Sequence, residues 1–587
     1  MADPAAVFAR SKSVGTAGQF PRAAALAAEA AGGYGQAGDH ANAVVCQVWQ
    51  ARMLQQSGKL LEAEDTLRVA LGHCDHRGLP NHRLDVLTEL GATLELAGNT
   101  AEAIAAHREV LALSRQVRQP IKMGIACANI ARLLPRMALP ERRGAAIAEA
   151  RALLREAGRV FTALAKPRLA GNVLITLGDL ERTAGNLLAA RAALTDASTQ
   201  AAQSGDSALA AAALLNLGYT ERDLGDNRAA SQHFGQSRVQ AQRCNDRLAD
   251  ARAQLAEALL GSDAMSPQDA IVAFAAVEAA FVAIGHPQGA LPATANRAAA
   301  LSRTGRLADA ARLLGKVHGQ LKAAAERLGA AEIGLSLAEL ALARGDSAQC
   351  EKLIAQAVAD RLPERLAHRL ALLQARRAAR SLDIAGCQAA VLEALHGEPT
   401  RGTRFSAALL QAQLDLWLGK PTALDALRGL AQQAAEAPRE SAAVQSALAD
   451  ALAWTGQTSA AAAAADRARA QWAALEEAAG VAGAALTSAL CARPANAAAG
   501  ALAALDLAAV REFADLTGTV AAATALSIGD GADWQAACQS MHESGNLAGQ
   551  LWMAWVGAQY DPTQGGAGIA VRLARIHGIV LPKLALH

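Results

Sequence analysis

The segment HCDHRGLPNH holds the densest set of side chains able to bind a metal: His73, Cys74, Asp75, His76 and His82. Imidazole and thiolate are zinc ligands. No second ligand pair of standard spacing follows, so the expectation is a polar loop at a connection between repeats, with no metal and no cofactor. The eight cysteines run from Cys46 to Cys538 and form no CxxC pair. That spread reads as reduced, mostly buried thiols of a cytoplasmic protein, not as a disulfide framework. Catalytic signatures are missing: there is no GxxxxGKS/T, no HExxH and no GxSxG. The glycine-rich GGAGIA at 565–570 has no strand before it and so lacks the context of a phosphate loop. No catalytic residue is expected, and no segment reads as a helix-turn-helix with a basic face.

Composition points the same way. The 587 residues carry 56 Lys+Arg against 54 Asp+Glu, a net charge of +2. That balance argues against a nucleic-acid binder or a ligand of acidic membranes. Apolar residues reach 52% while aromatics are only 3%. Ala and Leu dominate, and both favour helix over strand. The stretch near 478–510 is apolar but made largely of Ala and Gly, and Arg493, Pro494 and Asp506 interrupt it, so it reads as buried helix and not as a membrane span. The opening MADPAAVFARSKSVG has no apolar core of the secretory kind.

The elements that must position any site emerge from a repeat. Ser11, Ala51, Gly91 and Ala131 are 40 residues apart, as are Gly178, Gly218, Ala258, Ala298 and Ala338. The step from 131 to 178 is seven longer, and Pro135 and Pro140 predict an enlarged turn near 135–144. Beyond 338 the step shortens to 37, through Ala375, Ala412 and Ala449. A second series runs Ala23, Ala63, Ala103, Ala150, Ala190, Ala230, Ala270, Ala310, Cys350, Cys387 and, later, Ala461. Four residues on stand Leu67, Leu154, Leu194, Phe234, Phe274, Leu314, Ile354 and Val391, on the same helical face. Glycines such as Gly98, Gly185 and Gly225 suit the left-handed end of a helix. Asn99, Asn186, Asp226 and Asp346 suit the cap of the next. The expected fold is all-α, a right-handed α-solenoid of stacked antiparallel helix pairs. About twelve pairs fill 1–479, and a C-terminal helical capping or docking region fills 480–587.

The pairs Leu90–Gly91, Leu177–Gly178 and Leu217–Gly218, with the glycine and alanine series, resemble the tetratricopeptide repeat family. The likeness is to its longer variant, found in kinesin light chains and the sensor arms of bacterial regulators. It departs in lacking most of the early Trp, the Tyr pair and the terminal Pro. The resemblance implies a groove lined by the first helix of each pair, holding a peptide or partner helix. It also implies that an Asn two residues before the mid-helix small residue bonds the ligand backbone; Asn129, Asn216 and Asn296 stand there. Arg52, Arg132, Arg182, Arg222, Arg303 and Arg380 share that face, with Tyr219 beside them. They would suit an acidic partner, but Glu95, Asp179, Glu339 and Asp450 occupy equivalent places, which predicts internal ion pairs. The expected function is a protein–protein interaction scaffold, with no nucleic-acid or membrane partner. The alternative is a regulatory sensor arm that binds a small inducer or signal peptide and acts on an effector in trans. The solenoid ends leave a homodimer open.

Past residue 480 the register fades. Helices are expected over 497–514 and 533–558. Six of the seven Trp lie from Trp417 onward, with Trp534, Trp552 and Trp555 near Met553. These aromatics either seal the end of the stack or offer a docking surface. The tail AVRLARIHGIVLPKLALH is expected to fold back on the last repeat, with Pro582 ending its helix.

Overall fold

In the computed structural model the described residues are 3–137, 142–262, 265–324, 326–359, 362–491, 512, 513, 516, 531–560 and 566–582. Among them there is no strand, and no helix is long and apolar enough to cross a membrane. The chain forms two compact units, Met1–Leu260 and Gly261–His587.

The first unit runs α1 (Pro4–Thr16), α2 (Phe20–Gln36), α3 (His40–Gln56), α4 (Leu60–Arg77), α5 (Pro80–Leu96), α6 (Thr100–Gln116), α7 (Pro120–Met137), α8 (Arg143–Ala163), α9 (Pro167–Thr183), α10 (Leu187–Ser204), α11 (Ser207–Asp223), α12 (Asn227–Arg243) and α13 (Arg247–Gly261). Each odd helix from α1 to α11 packs antiparallel on the even helix after it, and α3 also touches α5, as α9 touches α7 and α11. The small residues explain this closeness. A Cβ on Gly91 would lie 2.5 Å from the His107 ring, and one on Gly178 or Gly218 would collide with Leu194 or Phe234. In each case the small residue of the odd helix receives a larger one sixteen positions later. The second alanine series is fully buried from Ala23 to Ala230. One apolar cluster therefore runs unbroken from α2 to α9.

Helix ends follow local chemistry. Gly225 ends α11 with φ 87, a conformation costly for residues with a Cβ. Asp226 then caps α12, its carboxylate accepting from Ala229 N at 2.9 Å. Asp346 does the same for Gln349 N. Asn99 and Asn186, expected as caps, make no such bond. The Asn186 amide donates to Glu181 instead, because a buried carboxylate is the better acceptor. The enlarged turn is also placed differently. Pro135 lies inside α7 and α8 is lengthened to 21 residues, so much of the excess is helical; Pro140 lies outside the described residues.

The second unit continues with α14 (Pro267–Ala283), α15 (Leu291–Arg303), α16 (Leu307–Ala323), α17 (Arg327–Ala343), α18 (Ser347–Ala359), α19 (Glu364–Arg380), α20 (Ile384–Ala394), α21 (Arg401–Trp417), α22 (Ala423–Gln433), α23 (Pro438–Trp454), α24 (Thr458–Ala474) and α25 (Ala478–Cys491). A short 3-10 turn, Pro287–Ala290, precedes α15. The step of 37 arises in the even helices: α20 and α22 have 11 residues each, where α12 has 17. Then come α26 (Gly531–Glu543), α27 (Leu547–Tyr560) and α28 (Gly566–His577).

The helix expected over 533–558 is thus two. Gly545, at φ 70, turns the chain, and Asn546 restarts it by accepting from Gly549 N at 2.9 Å. The tail helix ends at Gly578, φ 68, and not at Pro582. Most of the helix expected over 497–514 lies outside the described residues. Seven of the eight thiols are buried, and Cys244 is exposed.

Candidate functional site

The odd helices of the first unit present a polar face built by three-residue spacing. Asn129 and Arg132 stand on α7, Asp179 and Arg182 on α9, and Asn216, Tyr219 and Arg222 on α11. Residues three apart share one side of a helix, so each helix contributes a stripe. Arg182 and Arg222 lie 6.0 and 5.3 Å from the Tyr219 ring centre, whose edge meets Phe234 at 5.2 Å. Both guanidinium groups also pair with Asp223, at 3.0 and 2.9 Å. Burial raises the Asp223 carboxyl, but the two arginines outweigh it and hold the group below its ordinary value. Arg182, Tyr219 and Arg222 therefore form one cluster around Asp223, which the sequence reading did not include.

The arginines of this face are staples between successive odd helices. Arg132 forks onto Glu95, with one contact at 2.6 Å, and Arg52 pairs with Glu89. Lys122 reaches Asp85 at 2.5 Å. This matches the expected mixed-charge face with internal ion pairs. The amides differ. Asn216 donates to Ala212 O at 2.9 Å and Asn296 to Pro292 O at 2.8 Å, each within its own helix. The Asn129 side chain has no hydrogen-bond partner among the described residues, so both its amide atoms remain for a ligand. Arg303 belongs to the second unit and holds Glu477 at 3.3 Å and the Leu475 carbonyl at 3.4 Å.

Sequence reasoning passed over the buried carboxylates. Glu181 and Glu221 stand three residues after Gly178 and Gly218, each buried beneath a forked arginine. Arg151 reaches Glu181 at 2.6 and 2.8 Å, and Arg191 reaches Glu221 at 2.8 and 2.5 Å. Arg151 holds the Glu181 carboxyl below its ordinary value. The signal was the ER pair at matching places in LERT and TERD, with an Arg right after Ala150 and Ala190. The metal candidates are dispersed. His73 to His76 lie in the last turns of α4 rather than in a loop, since the chain turns only at Gly78. Cys74 is buried, with its thiol pushed up to about 11 by desolvation, while Asp75 holds Arg83 at 2.6 Å. Among the described residues no group of three or more His, Cys, Asp or Glu is placed to hold a metal.

In the second unit the odd-helix face is covered by the chain itself. Helix α27 lies on α19, α23 and α25. The Trp555 indole N–H donates to Trp454 O at 3.0 Å, and the two rings sit 6.0 Å apart. Trp552 donates to Asp450 O at 3.4 Å, Val580 N to Trp417 O at 2.8 Å, and Arg380 to Ser544 O at 3.1 Å. The aromatic residues thus serve an internal contact on the side of the stack; the Trp534 side chain lies outside the described residues. Beneath α27 a cavity of about 720 Å³ remains, walled by Trp417, Trp454, Trp472 and Trp552 and containing Asp450.

No family model matches the sequence, and no curated relative matches it. Similar solved structures include the apo quorum sensor NprR from B. thuringiensis, 13% identical, covering 61% of this chain and 98% of that one, TM-score 0.41. Aspartyl phosphate phosphatase F from Bacillus subtilis is 11% identical, with 61% and 94% covered and a TM-score of 0.41. A signal-transduction ATPase with a tetratricopeptide repeat sensor from Pyrococcus horikoshii is 13% identical, with 51% and 44% covered and a TM-score of 0.37.

Proposed function

We propose that this protein is a non-enzymatic scaffold whose first unit binds a peptide segment or helix of another protein along its odd-helix face. The observation that carries the reading is the stripe of Asn129, Arg132, Arg182, Asn216, Tyr219 and Arg222, with the Asn129 amide unpartnered. An amide that donates and accepts suits an extended backbone, and a tyrosine between two arginines is a typical interface anchor. The second unit supports the reading by analogy, because its equivalent face already holds a helix, α27. Affinity would come from many shallow contacts around a few anchors.

The test starts with capture of the partner from the native cell by the full chain, followed by calorimetry with the purified partner. Asn216→Ala combined with Arg222→Ala is expected to weaken binding by about tenfold or more while leaving the melting temperature within a few degrees. Unchanged affinity would remove the face from the assignment. The alternative, a sensor arm for a small inducer acting on an effector in trans, is favoured by one observation, the cavity under α27. A ligand-dependent change in small-angle scattering would support it.

A further inference from the structure

The cavity beneath α27 has the size and lining of a small-molecule site. About 720 Å³ falls in the range of ordinary ligand sites, which are mostly apolar with a few placed polar groups. Here Phe405, leucines and methionines share the apolar lining with four tryptophans on α21, α23, α24 and α27. Two of them are fixed by bonds that leave no indole N–H for a ligand: Trp472 donates to Ser446 at 2.9 Å, and Trp552 to Asp450 O at 3.4 Å. What they offer is ring surface.

The acidic group among the lining residues is Asp450. It lines the cavity and its side chain is exposed there. Its hydrogen-bond partner is the Thr487 hydroxyl, at 2.6 Å, and no cation pairs with it among the described residues. Arg376 lines the cavity as well and forms no ion pair with Asp450. An accessible carboxylate that pairs with no cation among the described residues can take one from a ligand. The Asn546 side chain, largely buried in the lining, spends its oxygen on Gly549 N, and its NH₂ has no partner among the described residues.

We infer that this cavity binds an organic cation, a primary or substituted ammonium on an aromatic or apolar body, with the ammonium against Asp450 and the body among the tryptophans. Indole faces attract cations as well as apolar surface, so both halves of such a ligand are matched. Among the described residues no second carboxylate and no His or Cys lines the cavity, which does not suit a metal ion. The inference concerns the second unit and stands independently of the face proposed for the first.

Calorimetry on the full chain at pH 7.5 with three probes of one shape tests it: 2-phenylethylamine, 2-phenylethanol and phenylacetate. The amine is expected to bind about tenfold or more tightly than the alcohol, with phenylacetate weakest. Asp450→Asn should lower the amine to the level of the alcohol and leave the alcohol unchanged. Equal affinity for all three, no saturable binding of any, or preference for phenylacetate would overturn the inference. So would an Asp450→Asn variant that keeps the amine's advantage. The comparison of probes on the unmodified protein decides the matter even where that variant fails to fold.

Discussion

The two units use one construction and both stitch successive odd helices with ion pairs, Arg369–Glu339 in the second among them, yet they dress part of that face differently. In the first, that face is polar and stitched by pairs such as Arg132–Glu95 and Arg182–Asp223, and Asn129 keeps an unpartnered amide. In the second, α19, α21 and α23 turn Ala371, Ala375, Leu414, Trp417 and Trp454 into a shared cluster with Leu551, Ala554 and Trp555 of α27. The backbone rule, a small residue facing a large one, is common to both. What differs is the surface left once that rule is satisfied, and in the second unit that surface holds the chain's own α27.

The sharpest way to break this contrast is Trp555→Ala. Removing a buried indole and its bond to Trp454 O is expected to cost the second unit about 3–5 kcal/mol. In guanidinium unfolding the second unit's transition should move to lower denaturant while the first unit's stays. Equal movement of both would show that they do not fold separately.

Acid should separate the units in direction. His107 is buried against Gly91 with neither ring nitrogen bonded among the described residues, and desolvation lowers it from 6.5 to about 4. Between those values the unfolded chain takes the proton and the folded one does not, so the first unit loses up to about 3 kcal/mol as pH falls from 6.5 to 4. Asp450 is raised by burial from 3.8 to about 6. There the folded state binds the proton first, so this group favours the second unit as pH falls through 6. His107→Leu should raise stability at neutral pH by about 1–2 kcal/mol and flatten the first unit's acid slope. A slope that survives the substitution would assign the acid sensitivity elsewhere.

The smallest effect is expected from Arg132→Ala. Its pair with Glu95 is half exposed, and such pairs contribute about 0–1 kcal/mol. A loss well above that in thermal melting would mean the stitching holds the first unit together, which would narrow the contrast between the faces.

Much of this was legible because close packing leaves a trace in spacing. The alanines at 23, 63, 103, 150, 190 and 230 are all fully buried, as their period implied. His107 was not legible, because a histidine stands where the later repeats carry Leu, Phe, Ile or Val, and only its burial against Gly91 shows it taking their place. The Arg151–Glu181 fork lay in the sequence as a spacing of 30, but many residues share that spacing, and side-chain direction selects the pair. The return of α27 onto α19 and α23 left no trace, since the period ends before it begins and nothing local encodes a contact about 100 residues away.

Thiol burial gives the molecule a ready pair of optical labels. Cys244 is the exposed one of eight, and it lies in the first unit, whereas six of seven tryptophans lie in the second. A maleimide dye should therefore attach at a single place, while indole emission reports almost wholly on the other end of the chain. Energy transfer from the indoles to that dye would follow their separation in real time without a single engineered residue.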